Sequence, residues 1–209
     1  MVDYQSLLLA LGVSAACLMV TLFGTWFSRR SDSFLLTLVI ALFLTIGGIV
    51  AYSFYPLKAG PLGASVAYTL LMAGFSTIYS AALQFRTGMR RWRTAGILTL
   101  VCAALGLPLM LGGLDGVGFI VMNTATATLL VETARQYWLA RREAPGALMG
   151  MAILYVASGV SFLLCAAVLI AERQWRLGHA PQNWAENLNI GVCIAGMTGI
   201  GALSLALHQ

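Results

Sequence analysis

One stretch of the sequence combines a carboxylate, a guanidinium, an amide and hydroxyls within an otherwise apolar segment. Glu132 can respond to a proton or a ligand if it lies inside a helical bundle, and Arg135 lies one helical turn away as its partner. The alternative is a stripe of interhelical hydrogen bonds that ends in a local ion pair. The candidate intramembrane polar site consists of Asn123, Thr124, Thr128, Glu132 and Arg135, the last four of which share one helical face at steps i, i+4, i+8 and i+11.

A second group of polar and aromatic residues lies in the segment AERQWRLGHAPQNWAE, residues 171–186. Its indoles offer stacking area and its arginines an anion site, so the segment can receive a small ligand. The alternative is a solvated connector that follows the membrane interface. A metal site at His179 is not expected, because nothing near it in the sequence completes a ligand set. The candidate ligand loop consists of Arg173, Trp175, Arg176, His179 and Trp184.

The sequence contains none of the common catalytic or cofactor motifs. No G-x-S-x-G, H-E-x-x-H, P-loop or dinucleotide fingerprint occurs. Retinal would need a lysine inside a bundle and haem would need buried histidines, yet Lys58, His179 and His208 lie in predicted loops or at the chain end. The four cysteines are read as small apolar packing residues. We therefore predict no catalytic residue, no metal and no cofactor.

The composition explains why the candidate sites must lie in a membrane. Hydrophobic residues make up 60% of the 209 residues and charged residues 9%, whereas soluble domains carry about 25% charged residues. Lipid must therefore accept apolar surface that no protein core of this size could bury. The net charge of +5 comes from short basic clusters between apolar runs, which is typical of topology signals and does not indicate nucleic acid as a partner. Membrane lipids are the expected surroundings.

The apolar runs predict an all-α polytopic membrane protein built as a single domain, a bundle of seven transmembrane helices. Each run approaches the roughly 20 residues that cross a bilayer, and none shows the alternation of a transmembrane strand. The predicted spans cover approximately residues 5–28, 33–55, 63–86, 94–112, 117–138, 147–171 and 187–208.

The distribution of basic residues predicts the orientation of the bundle. Nine of the twelve lysines and arginines lie on the side of the odd-numbered loops and three on the side of the even-numbered ones. The positive-inside rule then places the odd-numbered loops in the cytoplasm. The N-terminus is expected outside and the C-terminus in the cytoplasm, in a bacterial inner membrane.

The last span carries small residues at every fourth position, namely Gly191, Ala195 and Gly199. This pattern allows two helices to approach closely. The face can pack inside the bundle or form the seam of a homodimer, and the sequence leaves both open. The chain stops at His208-Gln209 without a basic flank, so a further segment is expected to follow.

The opening run MVDYQSLLLALGVSAACLMVTLFGTWFSRRSDSFLLTLVIALFL, Tyr52 and the stretch LLMAGFSTIYSAALQFRTG resemble the N-terminal membrane regions of alphaproteobacterial, particularly rhizobial, GGDEF diguanylate cyclases. The likeness covers most of the chain and is strongest up to about residue 90. In that family a multi-helix sensor region leads into a cytoplasmic GGDEF domain, which forms cyclic di-GMP as a dimer. This chain has no Gly-Gly-Asp-Glu-Phe motif, so the resemblance carries over no catalytic residue. It implies an excised or truncated sensor region, or a free-standing relative.

The sequence and the resemblance together predict a membrane-embedded signal-input module that regulates a cytoplasmic output, such as a diguanylate cyclase. A small transporter or channel of the inner membrane is the alternative, because polar residues within spans are typical of transporters. The first three and the last three spans show no convincing similarity, although many transporters contain such repeats.

Overall fold

The computed structural model describes residues 4–54 and 61–206, and side chains up to residue 204. These residues form seven α-helices joined by short connections and one longer loop. The parts of the predicted spans at residues 55 and 207–208, together with Lys58, lie outside the described residues. The helices are α1 (Tyr4–Ser28), α2 (Ser33–Phe54), α3 (Pro61–Thr87), α4 (Trp92–Leu111), α5 (Asp115–Ala140), α6 (Pro145–Ala171) and α7 (Trp184–Ala206).

All seven helices are long and apolar enough to cross a membrane, and they confirm the predicted all-α architecture of seven helices. Large apolar side chains cover the outside of the bundle: Leu9, Leu62 and Leu100 each expose at least 70% of their surface. A soluble protein does not carry apolar surface on this scale without a partner. Lipid is the environment that fits it.

Six of the helices form a closed ring, and α4 lies outside it. Around the ring, α1 contacts α2, α2 contacts α3, α3 contacts α5, α5 contacts α6, α6 contacts α7, and α7 returns to α1. The fourth helix packs only against α3 and α5 among the described helices. The ring therefore has an axis that α4 does not reach.

One hydrogen bond and one close contact, both made by a tyrosine of α3, hold α4 against the ring. The Tyr68 hydroxyl of α3 donates a hydrogen bond of 2.7 Å to the Cys102 carbonyl of α4. The Tyr68 ring lies directly against Gly106, where a Cβ atom would collide with it. Pro108 follows in the last turn of α4, and the helix continues through it to Leu111.

The two ends of the bundle differ in chemistry. At one end, here called the arginine end, the connections at residues 29–32, 88–91 and 141–144 contain six arginines. At the other, here called the Asp115 end, α5 and α7 begin and the loop of residues 172–183 crosses the surface. The predicted orientation would place the arginine end in the cytoplasm.

Candidate functional site

Two cavities lie along the axis of the six-helix ring, one above the other. The cavity nearer the Asp115 end, here called the Glu186 cavity, has a volume of about 90 Å³. The cavity nearer the arginine end, here called the Ser158 cavity, has a volume of about 70 Å³. Residues from α1, α2, α3, α5, α6 and α7 line both cavities. All six helices of the ring therefore contribute to the walls of the cavities.

A pair of aromatic rings separates the two cavities. Phe75 of α3 and Phe162 of α6 meet edge to face with ring centroids 5.5 Å apart. Both rings line both cavities, as do Cys193 and Met197 of α7. These four residues therefore form the boundary that the two cavities share.

The Glu186 cavity contains most of the polar groups that face the axis. Glu186 and Asn189 of α7 are 7% and 6% exposed, and Asn123 of α5 is 1% exposed. Tyr4 of α1 and Tyr52 of α2 complete the polar wall, and their side chains interact with one another. Apart from Thr45, the remaining wall is apolar.

Glu186 is a buried carboxyl without a basic partner among the described residues. Its side chain interacts with the side chains of Asn123 and Cys165, and it forms no salt bridge with any residue within 4–54 or 61–206. The nearby basic residues Arg173 and Arg176 are exposed. A buried carboxyl without a basic partner is neutralised by a proton or by a bound cation, so this arrangement marks a candidate site for either.

The polar groups around Glu186 are held by neighbouring helices. The Oδ1 atom of Asn189 accepts a hydrogen bond of 2.7 Å from the Ser161 hydroxyl of α6. By contrast, Asn123 Nδ2 and the Tyr4 hydroxyl lie beside Glu186 and Tyr52 but complete no hydrogen bond in the described structure. Each donor can therefore turn from this neighbour to a ligand or to water in the cavity.

Of the polar face predicted on α5, the structure brings only Asn123 to the axis. Thr124 and Thr128 are exposed on the outside of the bundle, where their hydroxyls donate to the carbonyls of Ile120 and Thr124. The Glu132 carboxylate pairs with Arg135 at 3.3 Å, also on the outside. Helical spacing correctly groups these four residues on one face, but spacing alone cannot tell which face points inward.

The residues predicted to form an external ligand loop do not converge on a site. All five side chains are exposed and none lines either axial cavity. Instead, the loop is fixed by its backbone: the Asp115 carboxylate accepts hydrogen bonds from the amides of Leu177 and Gly178 at 2.9 and 2.6 Å. The residues concerned are Arg173, Trp175, Arg176, His179 and Trp184.

The loop also packs against the Asp115 end of the bundle. Ala180 is fully buried, in the same apolar cluster as Tyr52, Leu169 and Ile190. Pro181 beside it is buried as well. The loop therefore packs on the apolar cluster to which Tyr52 and Ile190 of the cavity wall also belong, with its arginines exposed.

The small residues predicted on α7 separate into two environments. Gly199 packs against Leu154 of α6, which corresponds to packing within the bundle. Gly191 and Ala195 are exposed on the outside, and a Cβ atom at Gly191 would meet nothing. The glycines that face neighbouring helices also include Gly196, beside Ser158, and Gly201, beside Leu18.

Glu186 was missed as a site residue because a charge was taken to mark the end of the preceding loop. The seventh span was predicted to begin at residue 187, whereas α7 begins at Trp184. Asn183 caps this helix, since its Oδ1 accepts a hydrogen bond from the Glu186 amide at 3.0 Å. An Asn followed three residues later by Glu, before an apolar run, is the signature of such a helix start. It would have placed Glu186 in the first turn.

No family model, curated protein or solved structure matches this chain. The resemblance to the membrane regions of diguanylate cyclases therefore stays a prediction. Within residues 4–54 and 61–206, no three His, Cys, Asp or Glu residues are grouped so that they could hold a metal ion.

Proposed function

We propose that this chain is a membrane-embedded signal-input module whose stimulus is read in the Glu186 cavity. The observation that carries the proposal is a buried carboxyl, unpaired among the described residues, in a cavity that six helices share. A ligand or proton at this place changes the charge balance at the point where the helices meet. Two packings of similar free energy would then be populated differently with and without the stimulus.

The seventh helix is the element that would carry the signal to the other side. It extends from Glu186 in the Glu186 cavity to Ser204, which lines the Ser158 cavity. Its glycines allow it to lie close to α6 and α1, where a small rotation or sliding motion has low steric cost. With the predicted orientation, its C-terminal end would face a cytoplasmic output such as a diguanylate cyclase.

A fusion experiment tests this proposal. A diguanylate cyclase domain joined after Gln209 should produce cyclic di-GMP at a rate that depends on the packing of α7. Substitution Gly199→Leu should change that rate severalfold, because the new side chain would collide with Leu154 of α6. Gly191→Leu is the matched control on the exposed face and should leave the rate near that of the wild-type fusion. Equal rates for all three proteins would refute transmission through α7.

A small transporter or channel is the second candidate, and one observation favours it. The two cavities lie on one axis and share the Phe75–Phe162 pair as a partition. A transporter would open this partition during its cycle. Reconstitution of the purified chain in liposomes, with flux of small cations and amines measured, separates the two candidates because a sensor module should move no solute.

A further inference from the structure

The Glu186 cavity has the chemistry of a site for a small organic cation. We propose that it binds a compact protonated amine, with the ammonium group against the Glu186 carboxylate and a hydroxyl or carbonyl oxygen of the same molecule facing Asn123. This inference deepens the proposed function, because it names the chemical class of the stimulus, and its biological meaning rests on that function.

Charge is the first argument for a cation. The carboxyl of Glu186 is 7% exposed and has no salt bridge within the described residues. The polar side chains that interact with it, those of Asn123 and Cys165, carry no positive charge. A bound ammonium group would supply the missing charge and up to three hydrogen-bond donors.

The walls of the cavity provide the second argument. The aromatic side chains of Tyr4 and Tyr52 line it on the side of Glu186, and electron-rich rings attract ammonium groups. Leu8, Leu11 and Ile49 form part of the apolar wall, which suits the methylene groups of a short amine. Carboxylate, aromatic rings and aliphatic side chains together favour an alkylammonium ion over an inorganic cation, which would need more oxygen ligands.

The unpartnered donors indicate a second polar group on the ligand. Asn123 is 1% exposed and lies beside Glu186, but its Nδ2 atom completes no hydrogen bond in the described structure. The Tyr4 hydroxyl likewise lies beside the Tyr52 side chain without completing a hydrogen bond. Both can donate to an oxygen acceptor, so an amine that also carries an oxygen, such as an amino alcohol, satisfies more groups than a plain alkylamine.

The size of the cavity limits the ligand. A volume of about 90 Å³ corresponds to about three water molecules, which admits a molecule of a few heavy atoms. Toward the Asp115 end, the buried Ala180 shares an apolar cluster with Tyr52 and Ile190 of the cavity wall. A phospholipid headgroup with its glycerol and acyl chains does not fit this space, so the ligand is a free small molecule.

Binding can be measured on the purified full-length chain in neutral maltoside micelles. The probes are 2-aminoethanol, ethylamine and the neutral analogue ethylene glycol, each titrated at pH 7 while the midpoint of thermal unfolding is recorded. We expect 2-aminoethanol to raise the midpoint by several degrees at saturation, ethylamine to bind more weakly, and ethylene glycol to leave the midpoint unchanged.

Variants locate the site. Glu186→Gln keeps the shape of the side chain and should weaken 2-aminoethanol binding at least tenfold. Glu132→Gln is the matched control, because it removes a carboxylate that faces the outside of the bundle, and it should bind as the wild type does. Asn123→Ala should remove the preference for 2-aminoethanol over ethylamine while both still bind.

Several outcomes would overturn the proposal. They are the absence of any amine-dependent shift in the wild-type chain, equal shifts with ethylene glycol and 2-aminoethanol, and equal loss of binding in the Glu186 and Glu132 variants. The first two use the wild-type chain, so the proposal stays falsifiable even where a variant does not fold. Amine binding that leaves the output of the cyclase fusion unchanged would uphold the site and refute the sensor. A fusion that responds to another stimulus without binding amines would refute the amine site and uphold the sensor.

Discussion

Glu186 illustrates how one residue can serve both a helix and a cavity. Its amide receives the Asn183 cap and its side chain points to the axis of the ring. At the first turn of α7 the helix dipole favours a negative side chain, which partly offsets the free energy of burying a carboxylate. The same residue is thus tolerated structurally and left available for a ligand.

Asp115 fixes the backbone of the loop of residues 172–183. Its carboxylate accepts two backbone hydrogen bonds from the loop, and hydrogen bonds to a charged acceptor contribute about 1.5–3 kcal/mol each. We expect Asp115→Ala to release the loop of residues 172–183 without unfolding the bundle. Trypsin should then cleave after Arg173 or Arg176 at least several times faster than in the wild type.

The control for this prediction is Asp32→Ala. Asp32 also accepts hydrogen bonds from two backbone amides, those of Phe34 and Leu35, but at the start of α2 and the opposite end of the bundle. Loop cleavage should stay at the wild-type rate in this variant. Similar acceleration in both variants would mean that general destabilisation, rather than release of the loop, exposes the arginines.

At the scale of elements, α4 depends on a single glycine for its place beside the ring. A methyl group at Gly106 would overlap the Tyr68 ring, and overpacking of this kind typically costs about 1–3 kcal/mol. We expect Gly106→Ala to lower the midpoint of thermal unfolding by several degrees and to increase hydrogen exchange in α4.

Gly96→Ala is the matched control in the same helix. A methyl group there meets no atom within 4 Å, and alanine favours a helix over glycine by up to about 1 kcal/mol. This variant should therefore be as stable as the wild type or more so. Equal destabilisation by both substitutions would contradict the role of the Tyr68 contact.

The sequence correctly predicted α7 as a helix, but it did not predict which residues of α7 contact the neighbouring helices. The pattern Gly191, Ala195 and Gly199 correctly indicates that α7 allows close approach, yet only Gly199 packs against a neighbour in the chain. The inward contacts also use Gly196 and Gly201, which lie outside that pattern. The bundle has several small residues on more than one face of α7, and only the positions of α1 and α6 decide which of them are used.

At the scale of the whole molecule, orientation in the membrane is the prediction with the widest consequences. In a variant whose cysteines are replaced, a cysteine at Gln182 should react with a membrane-impermeant maleimide from the outside of intact cells. A cysteine at Glu143 should react only after permeabilisation. Both positions are exposed, at opposite ends of the bundle, so their intrinsic accessibility is comparable. Labelling in the reverse pattern would place the Glu186 cavity on the cytoplasmic side.

The sequence alone determined the number and approximate extent of the helices and their capacity to cross a membrane. These properties depend on local composition, because about 20 consecutive apolar residues in a helix match the thickness of a bilayer. The helix ends in the structure differ from the predicted ends by a few residues. Only the difference beside Asn183, at the start of α7, changes the interpretation of a site residue. Capping there extends α7 past a charge that had been read as a boundary.

The tertiary structure alone decided which polar residues face the axis. Glu132 and Glu186 are both carboxylates near the end of an apolar run, and their spacing patterns do not say that one faces outward and the other inward. That choice depends on how each helix is rotated, and rotation is fixed by packing against neighbours that are distant in the sequence. The ring of six helices, the exclusion of α4 and the two axial cavities follow from the same long-range contacts.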